Sequence, residues 1–272
     1  MANVIVTSTK ARAQTPQLNV GQIAWQRMRN YQPQLISLFA GLATWEILGR
    51  LLDFPFLPPI TAVLAASWEL IASGVILGNL AVSLVSLTVG YSLAAALGML
   101  IGALMGRYRK VEYLLDIYVN ALLAAPTLIF VPILFAFFGV SRLSQVAVVF
   151  LYSFFVIIAN TMTGIRTVDS SLLEMGRSFG ANERQLYWKI MLPGALPLMM
   201  AGLRIGMGRA VKGMINGEMF IALIGLGALI KTYGGRFDAA KVLGVLIVVV
   251  AVAVVTTGLV QAVDRRVTRW SD

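Results

Sequence analysis

Several stretches of this chain run to about 20 residues with almost no charge, the length at which an α-helix crosses a bilayer. Inside hydrocarbon every backbone N–H and C=O needs a partner, so only helices and closed barrels can span. A membrane barrel would show alternating segments of about 10 residues. The runs here are continuous, so the expectation is an all-α polytopic membrane protein. Charge density agrees: 12% of residues are charged, against about 25% in ordinary soluble domains.

Six segments follow from the pattern. They run from about Gln34 to Leu52, Val75 to Met105, Tyr113 to Phe138, Leu143 to Ile165, Ala195 to Leu223 and Ala240 to Val263. Asp53-Phe54-Pro55 and Pro58-Pro59 close the first, and residues 61–73 form a short amphipathic stretch suited to a membrane surface. Residues 1–30 are polar and basic and lack an apolar h-region, which predicts a cytoplasmic N-terminal tail and no cleaved signal. Residues 31–272 then form the membrane domain, with a cytoplasmic loop over 166–193.

The 22 Lys and Arg residues set the orientation. With both termini inside, fourteen fall on the cytoplasmic side and five outside, while Arg204, Arg209 and Lys212 lie within segment five. Positive residues gather in cytoplasmic loops. The same bias accounts for the net charge of +10, so a nucleic-acid partner is not expected. The chain has no Cys and no His. Disulfides are excluded, and the usual metal ligands, nucleophiles and bases are missing. No catalytic residue, metal site or cofactor is expected in this chain, and no GxxxxGK[ST] loop is present to hold ATP.

The longest well-charged run between apolar segments is Glu174 to Pro197. Ser171-Leu172-Leu173-Glu174 reads as a capping box opening a helix. Gly180 breaks that helix after about two turns. A second short helix follows, and Pro193 and Pro197 are expected to end it or re-aim the chain. From residue patterns alone this is an ordinary capped loop.

The run also resembles the EAA loop of bacterial ABC importer permeases, in which Glu-Ala-Ala is followed by Gly-Ala and then Ile-x-Leu-Pro. Glu174, Gly180, Ala181, Ile190, Leu192 and Pro193 sit at the family's spacing, with Met175-Gly176 replacing Ala-Ala. Residues 202–210, Glu218 and Gly225-Leu226-Gly227 extend the resemblance, which covers roughly residues 60 to 262. It is strongest to the nitrate, sulfonate, taurine and bicarbonate branch. The resemblance implies a type I importer permease (MetI-like) fold of six transmembrane helices in the bacterial inner membrane. It implies that those six loop residues couple to a cytoplasmic ABC ATPase subunit, which would carry the ATP-Mg. It further implies a second permease copy, most simply a homodimer, an extracytoplasmic solute-binding protein, surrounding membrane lipid, and import of a small anionic solute. The competing readings are an ion-coupled secondary carrier or channel, and a membrane scaffold that transports nothing.

Segment five supplies pathway candidates. With Arg204 at 0°, Lys212, Asn216 and Arg209 fall at roughly 80°, 120° and 140° around the helix, beside a stripe of Gly202, Gly206, Gly213 and Gly217 at about 160–220°. Charge at membrane depth normally faces a cavity or a partner. Arg209, Lys212, Asn216 and Glu218 are therefore candidates for lining an anion path, while Arg204 is read as structural. Polar residues Asn79, Ser83, Ser86, Ser92, Asn120 and Thr127 are weaker candidates for the same path. In segment two, Gly90, Ala94, Gly98, Gly102 and Gly106 recur every four residues, which predicts a close helix–helix contact within the chain.

Overall fold

The structure, a computed structural model, describes residues 20–52, 54–221 and 224–268, with side chains from residue 33 onward. All regular elements among them are helical. Most of the polar tail lies outside the described residues, as do Asp53, Leu223 and Arg269. Helix α1 (Val20–Leu51) nevertheless starts within the stretch read as tail.

Short anchors hold the outer helices. The Trp45 indole donates to the Pro58 carbonyl at 3.0 Å. Glu46 accepts from the backbone N–H of Thr61 at 3.1 Å and from its hydroxyl at 2.9 Å. A carboxylate from α1 thus serves the N-terminus of α2 (Ile60–Ala72), whose own N-cap, Pro59, offers no side-chain acceptor. α2 buries Val63, Ala66, Ser67 and Leu70, and Ser67 lies against Gly244 of α11 (Ala239–Val267).

The frame of the bundle is α3 (Val75–Arg107) on α6 (Arg142–Arg166) on α9 (Leu192–Ile221). Small residues set both contacts. A Cβ at Gly90 would lie 2.8 Å from the Val146 carbonyl, and one at Gly102 only 2.6 Å from the Ile158 carbonyl. Gly98 and Gly106 face Ile157 and Ile165 in the same way. The four-residue stripe of α3 is an intramolecular seam. The glycine stripe of α9 does likewise on an adjoining face of α6: Gly202 faces Asn160, Gly206 faces Ile157, and Gly213 faces Tyr152. Backbones that approach this closely gain dispersion contacts without needing a hydrophobic driving force, which lipid does not supply. Leu87, Val149, Val211, Met214, Leu226 and Val245 fill the main core between these helices and α10 (Leu226–Gly235).

Segment three is not one straight span. α4 (Arg109–Ala124) ends at Ala125, a 3₁₀ turn covers Thr127–Ile129, and α5 (Phe130–Phe138) leaves at 91° to α4. Pro126 is the cause: it disfavours helical backbone at the preceding residue, and Ala125 sits at φ −66°, ψ 142°. Pro132, in the first turn of α5, is tolerated there.

Among the described residues, four helical units are long and apolar enough to cross a membrane: α3, α6, the continuous unit Glu183–Ile221, and α11. The bent pair α4–α5 makes a fifth if it counts as one span. α1 is not among them; Glu46 and Arg50 fall within its last turns. The molecule is a polytopic all-α membrane protein, and a sixth crossing remains an expectation from sequence.

Candidate functional site

The charged run folds as a helical hairpin at the basic end of the bundle. Its first helix, α7 (Ser170–Ser178), is capped two residues earlier than the sequence suggested. Asp169, not Ser171, is the N-cap, and its carboxylate accepts from the Ser171 N–H at 2.8 Å. That hydrogen bond holds the Asp169 carboxyl below its usual range. Glu174 is consequently a mid-helix residue with its side chain in the open.

Gly180 ends α7 as expected. It adopts φ +77°, its N–H donates to the Arg177 carbonyl at 2.9 Å, and the Ala181 N–H donates to the Gly176 carbonyl at 3.0 Å. This pair of bonds is the Schellman arrangement, and the left-handed residue it needs favours glycine. A capping box then opens α8 (Glu183–Leu186): the Asn182 side chain accepts from the Gln185 N–H, and the Gln185 side chain accepts from the Asn182 N–H, both at 2.9 Å. The Asn-Glu-Arg-Gln sequence carried this signal, which the reading of Ser171–Glu174 as the box overlooked.

Pro193 and Pro197 do not end the second helix. α8 passes through a π-helical turn, Tyr187–Met191, straight into α9. Within that turn the Leu192 N–H reaches the Tyr187 carbonyl, an i to i+5 bond. The extra residue widens the coil just before Pro193, which cannot donate and would crowd a regular turn. Pro197 is absorbed inside α9.

The hairpin closes on Leu186, which is 1% exposed. Gly176 sits against it: an added Cβ would lie 2.6 Å from a Leu186 methyl and 2.8 Å from one of Ile190. Leu192 packs with Ile165, Val168 and Ala195 at the base of the bundle. Gly180, Ala181, Ile190, Leu192 and Pro193 therefore belong to one small structure, with Glu174 on its outer side. Three ion pairs, on two carboxylates, tie its surroundings together. Glu183 accepts from Arg107 at 2.5 Å and from Arg177 at 3.4 Å, and Glu112 pairs with Arg166 in a two-pronged contact. Leu172, Met175 and Phe179, spaced for one face of α7, are all exposed, Phe179 by 83%. Glu174 and Arg177, on the same helix, are exposed beside this apolar strip.

Further into the bundle the four pathway candidates separate. Asn216 donates to the Tyr152 hydroxyl at 2.9 Å. Arg209 is half-buried, Lys212 is exposed, and neither meets a carboxylate among the described residues. These three flank the glycine stripe by which α9 packs on α6: Asn216 reaches back to Tyr152 of α6, while Lys212 points away into the open. Arg204, by contrast, lies 3.9 Å from Asp264 of α11, in keeping with a structural part.

Glu218 is on the other side and fully enclosed. Its carboxylate accepts from the Gly227 N–H at 2.9 Å, while Asn79 accepts from the Gly225 N–H at 2.8 Å and Ser83 from the Leu226 N–H at 3.0 Å. Three side chains from two helices thus satisfy the first amides of α10, whose N-cap glycine has no side chain to do so. Gly225 is at φ +110°, and a Cβ there would stand 2.3 Å from the Glu218 carboxyl carbon. Glu218, Asn79 and Ser83 fasten α10 in place and do not join the Arg209–Lys212 face. Ser86 is likewise engaged, donating to Gln145 at 3.0 Å.

The described residues thus form a membrane bundle with a capped helical hairpin at its basic end, and they leave Arg209 and Lys212 of α9 without a carboxylate partner among themselves. Residues 94–269 match the family described as binding-protein-dependent transport system inner membrane component. The chain belongs to this family, the permeases of ABC importers. It is 32% identical over 232 residues to a putative aliphatic sulfonates transport permease protein of Bacillus subtilis, covering 84% of each chain. It is 28% identical to the taurine transport system permease protein of Escherichia coli, covering 87% of this chain and 86% of that one. Its fold matches a chain of the MetNI methionine ABC transporter in an inward-facing conformation, with a TM-score of 0.56 and 21% identity over 74% of this chain and 96% of the other.

Proposed function

We propose that this chain is the membrane subunit of an ATP-driven importer for a small organosulfonate-like anion, and that α7–α8 is where a cytoplasmic ATPase subunit engages it. The observation that carries the proposal is the hairpin itself. A Schellman turn and a capping box fix its two helices, the Leu172–Met175–Phe179 face is presented outward, and α8 continues without a loop into the helix bearing Arg209 and Lys212.

In this reading Glu174 and the Gly180–Ala181 turn form the outer contact with the ATPase, and Ile190, Leu192 and Pro193 join that contact to α9. ATP-Mg belongs to the partner, and ATP binding there displaces the hairpin. Two copies of this chain pair across the side of α9 that exposes Lys212, enclosing Arg209, Lys212 and Asn216. The cations then see an anion in transit rather than lipid, which offsets their desolvation. A solute-binding protein delivers cargo at the opposite end, where α2 and α10 lie. α1 makes the additional crossing, both termini are cytoplasmic, and the sulfonate and taurine permeases among the relatives support the anionic cargo.

The test is reconstitution with the ATPase and binding protein in liposomes. The expected result is taurine- or alkanesulfonate-dependent uptake that requires all three proteins and ATP. Uptake by the purified chain alone would replace this reading with a carrier, and stable ATPase binding without flux would replace it with a scaffold.

A further inference from the structure

Outside the hairpin's protein-facing side lies a cleft of about 270 Å³ between the end of α3 and the start of the Glu183–Ile221 unit. Leu104, Arg107, Tyr108, Arg184, Tyr187 and Trp188 line most of it. We propose that this cleft binds the headgroup of an anionic phospholipid of the inner leaflet, with an acyl chain lying along α3. The inference does not depend on what the protein transports.

Three observations converge. First, the cleft offers cationic donors. Arg184 meets no carboxylate among the described residues. Arg107 shares Glu183 with Arg177 and also lies 5.5 Å over the Tyr108 ring. Second, the walls are the aromatic residues that settle at the headgroup level of membranes. Tyr187 and Trp188 meet edge to face at 5.4 Å, and Tyr108 and Trp188 are both more than half exposed. Third, an apolar track leads out of the cleft. Leu93, Leu97, Leu100 and Leu104 lie on one face of α3 and are each 40–57% exposed. Leu104 belongs to both track and cleft.

A free anion would use only the cations. A peptide would not need a track of leucines running toward the middle of a membrane-spanning helix. An amphiphile with a phosphate at one end uses the whole arrangement. Basic pockets of this kind on the cytoplasmic side suit acidic lipid headgroups. The site also touches the coupling hairpin: a phosphate beside Arg107 competes with Glu183, so headgroup charge would adjust how firmly α8 is tied to α3.

The test uses the full chain in nanodiscs, with brominated phosphatidylglycerol or brominated phosphatidylcholine as the quenching lipid. The readout is the component of tryptophan fluorescence that disappears in Trp188→Phe. Phosphatidylglycerol should quench this component more strongly, with an apparent preference of about five-fold for one basic residue at the membrane surface. Arg184→Gln should remove the preference and Arg184→Lys should retain it. Arg184 holds no partner within the described structure, so neither change should affect folding. Equal quenching by the two lipids would overturn the proposal, as would a preference that survives Arg184→Gln. Abolition of the preference by millimolar inorganic phosphate would also overturn it, showing a small-anion site instead.

Discussion

The seam between α3 and α6 makes a quantitative prediction at Gly102. Replacing it with alanine adds one methyl group, placed 2.6 Å from the Ile158 carbonyl oxygen and 2.7 Å from the Thr161 Cβ. Neither atom is the end of a flexible side chain. One is backbone and the other is the first carbon of a buried residue, so the helices themselves must part. Reaching ordinary contact requires a shift of about 0.8–1 Å, and a gap of that size forfeits roughly a quarter to a half of each dispersion well across the seam. Overpacking of this sort costs about 1–3 kcal/mol. Gly78, in the same helix, has nothing within 4 Å of its would-be Cβ. Gly78→Ala should be neutral, or stabilising by up to about 1 kcal/mol through helix propensity. The pair is compared by thermal unfolding of purified protein in one detergent. Gly102→Ala should lose several degrees relative to Gly78→Ala, and Gly102→Leu should lose more. If the two alanine variants melt together, the close approach does not hold the bundle and the packing argument fails.

Other expectations concern the hairpin and the cationic face. Gly180→Val puts a β-branched residue at φ +77°, with a cost of about 1–2 kcal/mol; the chain should still insert, but ATPase pull-down should fall sharply, and unchanged binding would separate the hairpin from coupling. Lys212→Gln should leave the yield of assembled complex intact and slow uptake of a sulfonate; a drop in yield with normal specific uptake would instead mean that Lys212 has a structural partner. The Asp169 carboxylate is held below its unfolded pKa by its hydrogen bond to Ser171. Its stabilising contribution is full above the unfolded pKa and is lost as pH falls through the lower, folded one. Hydrogen exchange at the start of α7 should therefore accelerate in acid beyond the intrinsic pH effect, and this extra acceleration should vanish in Asp169→Ala. Finally, with no native cysteine, a Cys at Asn182 should react with an impermeant reagent only from the cytoplasmic face and one at Phe237 only from outside; the opposite pattern would invert the topology.

Much of this was legible from residues alone, for identifiable reasons. Long apolar runs leave a chain few options in lipid, so helical spans and their approximate limits came through. Gly180 and the α3 glycines were readable because positive φ and close backbone approach each narrow the choice of residue. Misreadings came where a local signal had a competitor. Ser171–Glu174 has the form of a capping box, but Asp169 lies nearer the bend and took the N-terminus. Pro126 marks segment three as broken in mid-span, but the residue pattern does not give the size of the bend, which is 91°. Pro193 looked like a terminator because a π-turn, which accommodates it, has no simple residue pattern. Glu218 shared a helix with Arg209 and Lys212, and only the return of α10 revealed that its carboxylate is occupied by the Gly227 amide.

The unbroken helix from Glu183 to Ile221 has a mechanical consequence. Thirty-nine residues at ~1.5 Å each make a rod of about 58 Å, with its fulcrum where the glycines of α9 lie across α6. A loop between hairpin and membrane helix would take up slack, and small displacements at the cytoplasmic tip would be lost in it. Here a compliant joint is offered by the π-turn, where the hydrogen-bond register is already loosened and Pro193 withholds a donor. A push of a few ångströms at the hairpin end should therefore tilt the rod, with the largest displacement at its two ends and a small one at Lys212, which lies among the pivot glycines. In such a device stiffening the joint, by restoring a regular turn with Pro193→Ala, should alter the ratio of ATP hydrolysed to solute moved more than it alters either affinity.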